Sequence, residues 1–198
     1  MMAAMSVPAE QADSRSREID RGTLARCKAG DAMAFRAFVV RYERPVFALL
    51  SRMLGRGPEV EDLAQETFLR AFRAFPHFEI DGAARPSTWL LTIATRLALD
   101  VRKKKRPDLD ALTGGEPEMN RASPEKDSSR AELRRAIVAA IATLPDDQRA
   151  AFVLAEFHGF SLSEIASALG APENTVKTRL FRAREKLQRA LTDFKEES

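Results

Sequence analysis

Between residues 107 and 129 the chain reads PDLDALTGGEPEMNRASPEKDSS, rich in Pro, Gly, Ser and acid and without sustained periodicity. A segment of that composition builds no compact element and acts as a linker. It splits the 198 residues into a front module, about 18–106, and a rear module, about 131–194. Each half is long enough for one small core only. Fully extended, the 23 linker residues reach at most about 80 Å, and two turns of B-DNA measure roughly 70 Å. The two modules can therefore sit about two turns apart on one duplex.

Composition narrows the chemistry. The chain is 44% hydrophobic and 31% charged, as expected of a folded, charge-rich protein. Cys27 is the lone cysteine, so no intrachain disulfide can form; a redox role and a buried structural thiol are both open to it. With His77 and His158 the only histidines, no spacing suits a zinc site, and His158 reads as a helix-end or surface residue. No P-loop and no GxSxG motif is present, so neither an enzyme nor a bound cofactor is expected. No apolar run approaches the roughly 20 residues of a membrane span. Residues 1–17, MMAAMSVPAEQADSRSR, lack the apolar core of a signal peptide and read as a disordered tail, with Met1 and Met2 leaving the start open. A cytoplasmic protein is expected.

Charge is unevenly spread. Residues 1–106 hold 19 Lys/Arg against 13 Asp/Glu, residues 107–130 hold 3 against 6, and residues 131–198 hold 10 against 10. Within the front module Arg102, Lys103, Lys104, Lys105 and Arg106 stand in a row. Residues 174–190 carry six cations against Glu185 alone. Two basic patches on two modules are the footprint of a protein that meets a polyanion twice, although each alone could be a solvated helix face.

Apolar periodicity predicts helices throughout, hence an all-α fold of two small helical domains. In the front module Phe35, Phe38, Val39, Tyr42, Val46, Phe47, Leu50 and Leu54 recur mostly at three- and four-residue steps. A second helix, about 59–75, carries Val60, Leu63, Thr67, Phe68, Ala71, Phe72 and Phe75 and stops at Pro76. After a loop over 77–87, Ser87 is a candidate N-cap for a helix striped by Trp89, Leu90, Ile93, Leu97 and Val101. The rear module predicts helices at about 131–143 and 146–157, then SLSEIASALGAPENTVKTRLFRAREKLQRAL. Ser161 with Glu164 forms a capping box, Gly170 supplies a tight turn, and Pro172 fits the first turn of a long helix. This is a helix-turn-helix pattern.

The long helix has two faces. Val176, Leu180, Ala183, Leu187 and Leu191 must face inward. Asn174, Lys177, Thr178, Phe181, Arg182 and Glu185 form the outward stripe that a recognition helix offers to base edges in the major groove. Lys177 or Arg182 suits guanine, Asn174 suits adenine, and Thr178 and Phe181 suit a thymine methyl. Arg179 and Arg184 lie to the side, within reach of phosphates.

LPDDQRAAFVLAEFHGFSLSEIASALGAPENTVKTRLFRAREKL (144–187) resembles region 4 of bacterial sigma factors of the extracytoplasmic-function (ECF, group IV) class. GDAMAFRAFVVRYERPVFALLSRMLG (30–55) resembles region 2.1, EVEDLAQETFLRAFRAF (59–75) region 2.2, and STWLLTIATRLALDVRKKKR (87–106) regions 2.3 and 2.4. The order is that of the family, and the linker is too short for a region 3.

The resemblance implies binding without covalent chemistry. Glu61, Asp62, Leu63, Gln65 and Glu66 would meet the clamp helices of the RNA polymerase β′ subunit, and the rear module would meet the β flap. Ser87, Thr88, Trp89, Arg96, Asp100, Arg102 and Lys103 would read and melt a promoter −10 element. Trp89 can stack on an unpaired base or serve as core, and the residues alone leave both open. Arg149, Asn174, Thr175, Lys177, Thr178, Arg179, Phe181, Arg182 and Arg184 would read the −35 element. An anti-sigma factor is the implied regulator. Two positions depart from the common pattern: Asn174 where many members carry Gly, and Arg96 where many carry Asn. A dimeric helix-turn-helix repressor would share the rear module but leaves the front motifs unexplained. An adaptor that sequesters polymerase would keep the region 2.2 contacts and tolerate loss of Arg182.

Overall fold

Asp20 and Asp31 start the fold, each accepting from backbone N–H groups that a helix leaves unpaired. Asp20 accepts from the Thr23 amide at 2.9 Å and its hydroxyl at 2.6 Å. Asp31 accepts from the Met33 and Ala34 amides at 2.8 and 3.1 Å. In the computed structural model, which describes residues 18–110 and 129–196, they open α1 (Arg21–Lys28) and α2 (Ala32–Leu54). The expected tail over 1–17 and most of the expected linker lie outside the described residues.

Pro45 lies inside α2 without ending it. An interior proline costs a helix about 3 kcal/mol, whereas Val46, Leu49 and Leu50 beside it are fully buried and stabilise by about 1.5–3 kcal/mol each. Packing wins. Helix α3 (Pro58–Ala74) begins with its proline and places Glu59 and Glu61 in the first turn, where the helix dipole favours acids. A 3-10 turn over Phe75–His77 follows, then α4 (Pro86–Asp110).

The start of α4 differs from expectation. Pro86 opens the helix, with the Trp89 amide donating to the Arg85 carbonyl at 2.9 Å. Ser87 is therefore inside the helix, and its hydroxyl donates to Glu18 at 2.6 Å. Proline at a first helical position already has the required φ, which outranks the serine cap.

The rear module consists of α5 (Ser129–Ala142), α6 (Asp146–His158), α7 (Leu162–Leu169) and α8 (Glu173–Glu196). The capping box forms in full: Glu164 N–H donates to the Ser161 hydroxyl at 3.2 Å, and Ser161 N–H donates to the Glu164 carboxylate at 2.7 Å. Gly170 closes α7 at φ 59. A Cβ there would touch nothing within 4 Å, so the left-handed backbone, not space, calls for glycine. Pro172 stands just before α8, its carbonyl accepting from the Val176 amide at 3.1 Å.

The fold is all-α, with no strand among the described residues. The buried apolar residues form one cluster that runs through both modules. Phe38, Leu49, Leu50, Met53, Phe75 and Leu90 centre its front part, and Val153, Leu154, Ile165 and Val176 its rear part. The modules meet along a seam where α2 and α4 face α5, α6 and α7.

Candidate nucleic-acid and polymerase interfaces

On α8 the inward stripe is as the pattern requires. Val176, Leu180, Ala183 and Leu187 are buried and Leu191 half-buried. Burying that stripe on α6 and α7 turns Asn174, Thr175, Lys177, Thr178, Phe181 and Arg182 to solvent. Phe181 is 68% exposed. Lys177 and Arg182 have no ion-pair partner among the described residues. Arg179 donates to Asp147 at 2.7 Å, and Arg184 donates to Glu156 at 2.7 and 3.0 Å, which braces both against α6. The Thr178 hydroxyl donates to the Asn174 carbonyl at 3.0 Å.

Arg149 lies elsewhere. It is only 4% exposed, and its guanidinium donates to the carbonyls of Ile141 at 3.1 Å, Leu144 at 3.0 Å and Met53 at 2.8 Å, and to that of Ala142. Burial, with Arg102 beside it, pushes its pKa down to about 10. It ties the end of α5 to α6 and reaches the front module, so in this arrangement it is not part of the outward stripe.

The expected −10 residues are spread around α4 and along it, in different environments. Arg96, Asp100 and Lys103 are exposed, Thr88 is 6% exposed, and Arg102 is half-buried. Trp89 is half-buried and packs edge-on to Phe75 at 5.3 Å and tilted on Phe78 at 4.8 Å between ring centroids. It is thus a wall of the aromatic core with one flank open. Thr88 donates to Glu164 at 3.0 Å, Arg96 to the carbonyls of Ser167 and Ala168 at 3.0 and 3.1 Å, and Arg102 to Asp146 and the Met53 carbonyl. Periodicity within α4 carries no sign of these partners, all but Met53 in the rear module.

On α3, Glu61, Asp62 and Gln65 are exposed, and Glu66 accepts from Arg70 at 2.7 Å. Leu63 turns into the core, on the face of Val60 and Thr67. Two residues belong with the acidic face instead. Leu69 is 50% exposed, and Phe72, expected inward, is 43% exposed although it touches Phe35 at 4.9 Å. Asp62, Gln65, Leu69 and Phe72 follow three- and four-residue steps, which is the signal that would have found them. Cys27 is buried, and burial raises its thiol pKa, which disfavours the reactive thiolate.

Two helical bodies, one carrying a helix-turn-helix with an outward basic stripe and one an acidic-apolar face, define the class of two-module helix-turn-helix proteins. Residues 38–107 match the profile of Sigma-70 region 2, and residues 134–187 that of Sigma-70, region 4. The chain is 40% identical over 177 residues to the ECF RNA polymerase sigma factor SigW of Bacillus subtilis, covering 84% of this chain and 94% of that protein. It is 34% identical over 186 residues to the RNA polymerase sigma-H factor of Pseudomonas aeruginosa (89% and 95%) and 38% over 176 to the ECF sigma-E factor of Escherichia coli K12 (84% and 91%). Among solved structures it is similar to CnrH in complex with the cytosolic domain of CnrY (27% identity, TM-score 0.61, covering 88% of this chain and 97% of that one). It is also similar to the sigma factor RpoE with the anti-sigma factor NepR from Bartonella quintana (25%, TM-score 0.66, 80% and 96%). The chain belongs to the sigma-70 family. Sigma factors are transcription regulators rather than enzymes. No helix among the described residues is long and apolar enough to cross a membrane.

Proposed function

We propose that the chain is a group IV, ECF-type sigma factor of the bacterial cytoplasm, built as a region 2 module over 18–106 and a region 4 module over 131–194. It docks on core RNA polymerase, on the β′ clamp helices through Glu61, Asp62, Gln65, Glu66, Leu69 and Phe72, and on the β flap through the rear module. The rear module reads a −35 element with Asn174, Thr175, Lys177, Thr178, Phe181 and Arg182, flanked by Arg179 and Arg184. The front module reads and melts a −10 element with Ser87, Thr88, Trp89, Arg96 and Asp100, while Arg102 and Lys103 hold phosphates. Two weak readers on one tether gain selectivity through effective concentration. An anti-sigma factor as regulator is supported by the solved complexes that this chain is similar to.

The observation that carries the reading is the solvent-facing stripe of α8, with Phe181 exposed and Lys177 and Arg182 uncommitted. An exposed apolar ring flanked by cations that have no ion-pair partner among the described residues is the mixed surface that base edges, a thymine methyl and phosphates can meet together. Run-off transcription with purified core enzyme and a promoter library tests it. The protein should confer start-site choice with two sequence blocks about two helical turns apart; transcripts identical with and without it would sink the reading.

A further inference from the structure

The DNA-facing side of the front module is already occupied. Glu164 of α7 accepts from Thr88 at 3.0 Å and faces Arg85 at 3.4 Å. Asp146, in the first turn of α6, pairs with Arg102. Arg96 donates to the Ser167 and Ala168 carbonyls, at the C-terminal end of α7 where the helix dipole is negative. Arg149 crosses the seam the other way and donates to the Met53 carbonyl at 2.8 Å. Every acceptor here is anionic or partly negative, and every donor on α4 is one that the proposed function assigns to DNA. By contrast the outward stripe of α8 is open to solvent in the same molecule.

We propose that the rear module is a built-in competitor for the −10 element: Glu164, Asp146 and the end of α7 stand in for phosphate oxygens against Arg85, Thr88, Arg96 and Arg102. The free chain is then self-inhibited in one reader only. Its −35 helix can engage duplex DNA while the −10 face is covered, and the modules must part before a single strand can enter. Glu164 suits this role because its two oxygens are divided. One accepts from the Ser161 amide and completes the capping box, which fixes the carboxylate, and the other points across the seam. The bonds that close the seam on α4 are polar, with the Arg102 and Asp146 side chains 28% and 13% exposed.

This inference rests on the −10 assignment made above, and its test separates the two. The full chain is compared with the double variant Glu164→Gln/Asp146→Asn, without polymerase. X-ray scattering follows module separation, and fluorescence anisotropy follows a labelled 20-nucleotide mixed-sequence single strand and a duplex of the same length. The variant should show a larger radius of gyration, bind the single strand at least tenfold more tightly, and bind the duplex as the parent does. Glu43→Gln/Glu79→Gln makes the same charge change away from the seam and should do neither. Unchanged dimensions would overturn the closure. An opened chain with unchanged strand affinity would overturn the inhibition, and so would an equal gain in the control. Should melting curves show that Glu164→Gln unfolds α7, Asp146→Asn alone carries the test, with a smaller shift of the same sign. The −10 assignment stands or falls separately on run-off selectivity of Arg96→Ala.

Discussion

Helices α4 and α8 each carry the cations that would hold promoter DNA, and they present them in opposite ways. On α8 the outward stripe has no protein in front of it, and Lys177 and Arg182 keep their charge in water. On α4 Arg96 and Arg102 are spent on carbonyls and a carboxylate of the other module. A charged face on a helix is thus a list of donors and not yet a binding site. What decides is which other body supplies acceptors, and that is settled by contacts between residues 44 to 72 positions apart. Arginine also does two jobs in the rear module: Arg149 is internal scaffolding, and Arg182 has no ion-pair partner among the described residues.

The sharpest way to break that contrast is to remove each arginine in turn. Arg149→Ala should cost about 2–4 kcal/mol, because the carbonyls of Ile141, Ala142 and Leu144 lose a buried donor that water cannot replace. Urea unfolding would show the midpoint fall. A change below about 0.5 kcal/mol, the surface norm, would place Arg149 with Arg182 after all. Arg182→Ala should leave stability within that norm and instead cost about 1–3 kcal/mol of discrimination at one −35 position. Lys104→Ala should weaken binding to matched and mismatched promoters alike. Competition titrations on both would show it, and identical profiles for the two variants would erase the division between base reading and phosphate holding.

A smaller effect concerns α3. Asp62→Ala should lower core-polymerase affinity by about tenfold, in the range of one charged interface contact, while binding of isolated DNA is untouched. Phe72→Ala should act in the same direction, because 43% of that side chain is exposed beside Leu69. A pull-down with normal recovery for both would move the docking face off α3.

How much of this was legible in the chain itself follows from the range of each signal. The pair α7–α8 reads out well, because its determinants are local: Ser161 and Glu164 three residues apart, Gly170 at φ 59, and Val176, Leu180, Ala183 and Leu187 on one stripe. Periodicity reports burial against any neighbour within a module, so it assigned Phe72 inward when its ring is shared between Phe35 and solvent. It has no means of assigning a buried guanidinium, since Arg149 lies among acids and alanines in a pattern that a solvated arginine would also satisfy. Nor does it reveal that the second oxygen of Glu164 reaches Thr88, 76 residues away. Local rules found the inward stripe of α8 and its outward face; the seam that joins the modules lay beyond their range.

The smallest expected effect is at the seam's edge. His158 ends α6, where the helix dipole would favour a cation, yet its Nε2 is buried without a partner among the described residues and Arg52 of the front module stands nearby. Burial first, and the Arg52 charge second, lower its pKa to about 4 from the ordinary 6.5. The folded protein therefore holds a neutral imidazole at pH values where the unfolded chain binds a proton. Stability must fall as pH drops from about 6.5 towards 4 and be indifferent to this group above 7. Between pH 7 and pH 6 the loss is about 0.7 kcal/mol, set almost wholly by the unfolded value. His158→Gln keeps a polar side chain of similar reach and removes the titration. The difference in urea-unfolding free energy between parent and variant should widen by about 1.2 kcal/mol on going from pH 7 to pH 5.5 in the variant's favour. A difference that stays constant across the range would mean that the imidazole is hydrated in the folded state, and that α6 and Arg52 do not close over it.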